Sequence, residues 1–297
     1  MIPTFVIFLR EGIEASMIVA ILLSYLKRIN QRERFRDIYL GVALAFVLIF
    51  VGGFAAYYFI KQYNGSNVQS YFETITYVVA AAILTFMTLW MHKHARTMAK
   101  ELQARSEVAL TRGTRIGFGL LAFQAVWREG LETMVFTLAI IFASSRQAAT
   151  PIHGNLLWLG AVLGLLVALS IAFAVYRFGA KLNFKRFFQV LGVVLMVFAA
   201  GLLANAVQNL QQLGWLPFGT HVLWNTSGTV TESSNFGDVL HSLLGYADQP
   251  TVLQAAVWLV YITLSVAAFI GIGRLARVRR HPVSPAAPNS VPTTSSH

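Results

Sequence analysis

Arg10, Glu11 and Glu14, in the stretch FLREGIEASM, and Arg128, Glu129 and Glu132, in VWREGLETMV, are the residues whose types and spacing can do chemistry. Each set has the form Arg-Glu-Gly-x-Glu. On a helix the two carboxylates stand three residues apart and the Arg stands four before the second Glu, so all three share a face. Two Arg set against four Glu leave a formal surplus of −2, and carboxylate oxygens carrying that charge suit a hard cation. The chain has no cysteine, which removes disulfides and thiolate metal sites. Arg–Glu pairing that merely holds two helices together is the simpler alternative, and it needs no surplus of carboxylates.

The elements that position these charges are apolar. Of 297 residues, 56% are hydrophobic and only 12% charged, which exceeds what a soluble globular domain carries and predicts an all-α polytopic membrane protein. Seven runs are long enough to cross a bilayer as helices, at about 2–26, 38–60, 71–91, 116–143, 155–176, 187–210 and 252–273. The first lacks a basic leader and is broken by Arg10 and Glu11, so it reads as a retained span rather than a cleaved signal peptide. Both charged motifs fall mid-span. A charge at a helix centre costs roughly 2.5 to 3.5 kcal/mol, so six unpaired ones would cost on the order of 15 to 20 kcal/mol and cannot face lipid. Gly12 and Gly130 weaken their helices by up to about 1 kcal/mol each but suit close approach of the two motif helices.

The net charge of +11 is a topology signal. Nineteen of the 23 Lys and Arg follow the first, third, fifth and seventh spans, among them Lys27, Arg28, Lys93, Arg96, Arg177, Lys181, Arg274 and Arg277. The opposite side has only Lys61 and Arg146. By the positive-inside rule the N-terminus is outside and the C-terminus cytoplasmic. No nucleic-acid partner is expected. His92 and His94, two residues apart on the basic side, read as interfacial histidines.

The halves repeat. Arg10 and Arg128 are 118 residues apart, YLGVAL from Tyr39 matches WLGAVL from Trp158 at an offset of 119, and SYFETI from Ser70 faces RFFQVL from Arg186 at 116. A unit of three spans must enter the membrane in opposite senses, predicting a 3+3 inverted repeat plus a seventh helix. The expected layout is a single transmembrane domain over 1–280, with repeat one at about 1–92, repeat two at about 116–210, an external loop at about 211–251 and the seventh span at about 252–273. The loop has no Lys or Arg and carries His221, Glu232, Asp238, His241 and Asp248, so it can gather cations. The simpler and favoured reading is an ordinary external loop with a short helix near 236–244 ended by Gly245. The Pro- and Ser-rich tail, 281–297, reads as disordered.

REGIE from Arg10 and REGLE from Arg128, with KLNFKRFF at Lys181, FAAGLLANAV at Phe198 and LLGYADQPT at Leu243, resemble the iron permease family of oxidase-dependent iron transporters, the bacterial members most of all. The resemblance implies a permease of the cell inner membrane, not an enzyme, that moves iron ions across the bilayer into the cytoplasm. Glu11, Glu14, Glu129 and Glu132 would bind the metal, Arg10 and Arg128 would be their charge partners, and Glu73 would extend the outer entrance. Glu73 reads alternatively as a carboxylate at a helix start, favoured by the helix dipole. Iron would be the substrate, with no tightly bound cofactor. An external oxidase or peroxidase and a periplasmic iron-binding protein are the implied partners. A transporter of another cation such as lead or manganese, and a seven-span sensor with structural charge pairs, are the competing readings.

Overall fold

The computed structural model describes residues 1–62, 66–94, 116–145, 152–178, 184–229, 237, 240, 241 and 244–278. They form seven long helices: α1 (Ile2–Arg28), α2 (Phe35–Gln62), α3 (Asn67–His94), α4 (Ile116–Ser145), α5 (Ile152–Phe178), α6 (Phe184–Gln212) and α7 (Val252–Val278). Each expected apolar run lies inside one of them. Helices are required because a chain in hydrocarbon must satisfy its backbone polar groups within the segment. Among the described residues there is no strand, only an isolated antiparallel bridge between Val222 and Thr251.

Five helices, α2, α3, α5, α6 and α7, are long and apolar enough to cross a membrane. The two outside that set, α1 and α4, carry the charged motifs. The most apolar stretch of α6 is 67% buried, against 17% for α2 and 11% for α7, so α6 is an inner helix and the other two present their apolar side chains outward. The core is built by Ile7 of α1, Tyr77 and Leu84 of α3, Phe136 of α4 and Leu195 and Phe198 of α6. Around it α1 packs chiefly on α5, α2 on α4 and α3 on α6, while α1 and α4 also touch each other.

One expectation is corrected by this packing. The motif glycines do not lie between the two motif helices. A Cβ at Gly12 would sit 2.8 Å from Ala168 Cβ on α5, and one at Gly130 would run into Ile49 Cδ1 on α2. The glycines therefore admit the outer helices, leaving the carboxylate faces of α1 and α4 to meet each other. The packing also places part of the segment after α6. Gly237, Leu240, His241 and Leu244 are helical. Gly245, at φ +69°, abuts Gly201, so close that a Cβ on Gly201 would be 2.7 Å from the Gly245 backbone. Gly201 is eleven residues before the end of α6 at Gln212, about 16 Å along the helix axis. Trp258 Nε1 on α7 donates to Leu244 O at 2.8 Å, and buried His241 places Nδ1 2.7 Å from Tyr246 O. The loop thus folds back into the bundle against α6 and α7.

Arg96, Lys181, Arg146, Glu232, Asp238 and the 281–297 tail lie outside the described residues.

Candidate cation site

The spacing of the motif does what helix geometry demands. On α1, Arg10 lies beside Glu11 and one turn before Glu14, and its guanidinium reaches both: Nη1 is 2.8 Å from Glu11 Oε1 and Nε is 3.2 Å from Glu14 Oε1. All three side chains are buried, with only 3% of each exposed. On α4, Glu129 turns toward α1. Carboxylate oxygens of Glu11, Glu14 and Glu129 all lie within 4.8 Å of one another, the one group of three or more acidic or histidine side chains so placed among the described residues.

The electrostatics of this cluster are unbalanced. Three carboxylates face one guanidinium, a formal −2 if all are ionised. Glu11 Oε2 and Glu129 Oε2 are buried oxygens that accept no hydrogen bond. Burying an ion away from water costs several kcal/mol unless partners repay it, and here the missing partner is positive. Oxygen-only donors at this separation can converge on a hard cation by rotations of their side chains.

Glu132 is not brought into the cluster. It accepts from Arg128 Nε at 3.1 Å, and its Oε2 is buried without a partner. Arg128, unlike Arg10, has a half-open side chain, 49% exposed. Its Nη2 lies 2.8 Å from Met87 Sδ and its guanidinium stands over the Trp90 ring, 5.7 Å from the centroid. Glu73 also lies apart. It is buried near the start of α3, accepting from Gln69 Nε2 at 2.8 Å and from Asn209 Nδ2 at 3.3 Å. A carboxylate that only decorated a helix start would not be buried against an amide of α6, so the dipole reading alone does not account for it.

Sequence reasoning missed Asn209, Met87 and Trp90. Asn209 carried a signal, a fully buried amide in the apolar run of α6; Met87 and Trp90 carried none, since both are ordinary residues of an apolar helix. The external acidic and histidine residues do not form a ligand group among the described residues: His221 is exposed, and His241 is committed to Tyr246. His92 lies against Phe269 of α7 with 4.1 Å between ring centroids and the planes tilted by 40°.

Comparison with known proteins agrees with the resemblance. The sequence profile of the Iron permease FTR1 family matches residues 1–282. The chain is 34% identical over 275 residues to the "Ferrous iron permease EfeU" of Escherichia coli (strain UTI89 / UPEC), covering 91% of this chain and 95% of that one. It is 34% identical over 274 residues to the protein of the same name from Shigella sonnei (strain Ss046), covering 91% and 95%, and 33% identical over 274 residues to that of Yersinia pestis, covering 91% and 93%. No solved structure matches it. The chain belongs to the Iron permease FTR1 family. It is accordingly a membrane transporter and not an enzyme.

Proposed function

From that membership we propose that the chain takes up iron across the cell inner membrane into the cytoplasm, and that Glu11, Glu14 and Glu129 hold the ion in transit. The buried triad of carboxylates against a single guanidinium is the observation that carries this reading. Arg10 keeps the empty cluster from repelling itself, and the remaining formal −2 is what an entering cation neutralises. Glu132, one turn along α4 and balanced by Arg128, is the fourth carboxylate of the path. Glu73, with Asn209, is an outer station that an ion meets before the triad.

The reading extends to the architecture. The N-terminus is outside, the C-terminus inside, and α1–α3 and α4–α6 are inverted repeats with α7 added. Reciprocal packing of α1 on α5 and α2 on α4 supports the repeat, because each motif helix then rests on the second helix of the other half. The glycine contacts support it further: Gly12 meets Ala168, Gly130 meets Ile49, and Ile49 and Ala168 are themselves 119 residues apart. Transport follows by alternating movement of one repeat against the other around the triad. An external oxidase or peroxidase, or a periplasmic iron-binding protein, would deliver iron at the outer face.

The relatives' names specify ferrous iron. The test is uptake of radioactive iron into proteoliposomes, offered as ferrous and as ferric ion, by the native chain and by Glu129→Gln. Ferrous accumulation by the native chain that disappears in the variant is expected. Equal accumulation by both would return the charges to helix pairing, and displacement of iron by lead or manganese at equal concentration would move the substrate to another cation.

A further inference from the structure

The two motifs are nearly identical in letters but open to different surroundings. Arg10 is enclosed, only 2% exposed, whereas Arg128 looks into a cleft of about 510 Å³ between α3 and α4. The cleft is lined by Phe86, Met87 and Trp90 of α3 and by Arg128 and Glu132 of α4, among others. Its α3 residues all fall in the second half of Asn67–His94, so it extends from the level of the motif toward the end of the bundle where α3 finishes and α4 begins. On α4 the exposed residues leading there are Leu120, Gln124 and Arg128, each one turn from the next.

A half-exposed guanidinium and an exposed amide inside a span cannot be left to hydrocarbon, where a charge costs roughly 2.5 to 3.5 kcal/mol. Water in the cleft removes that cost. Arg128 is also weakly held. A thioether and an aromatic face are poor partners beside a carboxylate, and among the described residues Glu132 is its one ion pair. A cation moving from Glu129 to Glu132, one turn along the same helix, competes directly with Arg128 for that carboxylate.

We infer that the α3–α4 cleft is the hydrated exit of the permease, with Glu132 as the oxygen station after the triad, Arg128 as the gate displaced by the ion, and Gln124 lining the way to the cytoplasmic end. This rests on reading the triad as the cation site. Arg128 swings against Met87 and Trp90 when Glu132 is occupied, and returns when the ion has left.

The absence of native cysteine makes the test direct. Gln124→Cys and Phe86→Cys, both at exposed positions, are compared with Leu163→Cys on the apolar outer side of α5, 41% exposed. Each is treated with a charged, membrane-impermeant methanethiosulfonate in inside-out and in right-side-out vesicles. Expected is modification of Gln124→Cys and Phe86→Cys from the cytoplasmic side, about tenfold or more faster than Leu163→Cys, because the charged reagent does not enter hydrocarbon. Modified Gln124→Cys should lose most of its iron uptake yet bind iron in detergent, by equilibrium dialysis, as before. Reaction no faster than at Leu163→Cys, as lipid tails or a second copy filling the cleft would give, overturns the inference. So does reaction from the outer side only, or full uptake after modification. Undiminished iron binding by Glu129→Gln is a different result; it removes the triad reading, whatever the cysteines report.

Discussion

The α1 motif and the α4 motif differ by one aliphatic residue, yet they solve the problem of a buried charge in opposite ways. Arg10 is enclosed and divides its guanidinium between Glu11 and Glu14. Among the described residues Arg128 forms its one ion pair with Glu132 and keeps half of its side chain open, while Glu129 joins the α1 carboxylates. What differs is the surroundings: among the described residues Arg10 is only 2% exposed, whereas Arg128 borders the α3–α4 cleft on the side of Phe86. On the proposed reading the duplicated sequence supplies a fixed half and an adjustable half of one site, a cradle for an ion to enter and a releasable partner for it to leave by.

The sharpest way to break this comparison is to remove each guanidinium in turn. Arg10→Gln leaves buried carboxylates without their counter-charge, and its unfolding free energy in mixed micelles should fall by about 3 to 5 kcal/mol, the cost of breaking a buried pair. Arg128→Gln loses a half-exposed pair, for which about 1 kcal/mol or less is expected. Equal losses would mean that the two motifs are equivalent and that the open cleft has no energetic meaning.

Removing carboxylates tests the division of labour itself. Glu11→Gln and Glu129→Gln should each weaken iron binding, read by equilibrium dialysis, on the order of 100-fold, since even outer partners of a metal ligand are worth 10- to 100-fold. Glu132→Gln should leave binding within about threefold of native, while slowing uptake, because it acts after the triad. Weakening as large as that of Glu129→Gln would place Glu132 in the cradle.

Much of this was legible beforehand because the signals are strong in one dimension. Long apolar runs have one outcome in lipid, so all seven helices could be read, and a charge triplet in the middle of two of them marked Glu11, Glu14 and Glu129. The parting of Glu129 from Glu132 was not legible. Three residues apart on a helix puts two side chains on one face, but which turns to α1 and which to α3 depends on where those helices sit. The partners of Gly12 and Gly130 were hidden for the same reason, since a small residue announces a close approach without saying to what. Nor did the composition of the loop after α6, free of Lys and Arg, indicate that Gly245 meets Gly201.

The glycines allow the comparison to be sharpened at the next level down. Gly12→Ala sets a methyl 2.8 Å from Ala168 Cβ, a short rigid neighbour, and should destabilise by about 1 to 3 kcal/mol, as overpacking does. Gly130→Ala collides with the end of Ile49, a flexible side chain that can rotate away, so its loss should be smaller. Ala168→Gly should restore Gly12→Ala, and Ile49→Ala should restore Gly130→Ala, in the same unfolding titration. Rescue only by the opposite pairing would mean that the reciprocal arrangement of outer helices is wrong.

The smallest effect is expected where the molecule departs from its own repeat. Glu73 on α3 faces Gln189 on α6 at the offset of 116, so this carboxylate has no twin, and its partner Asn209 stands on α6 beyond that position. Asn209 donates to Glu73 at 3.3 Å and its Oδ1 is buried without a hydrogen bond, so the residue is positioned by the carboxylate rather than by its surroundings. Asn209→Ala removes one donor to a charged acceptor, worth about 1.5 to 3 kcal/mol gross, but it also relieves that orphaned oxygen. The two terms oppose, and a net loss near 1 kcal/mol is expected. Iron binding at the triad should be unchanged, while half-saturation of uptake should move to higher iron concentration, because an entrance station raises the local supply without altering the cradle. A change in maximal uptake with half-saturation fixed would instead place Asn209 in the moving parts of the cycle.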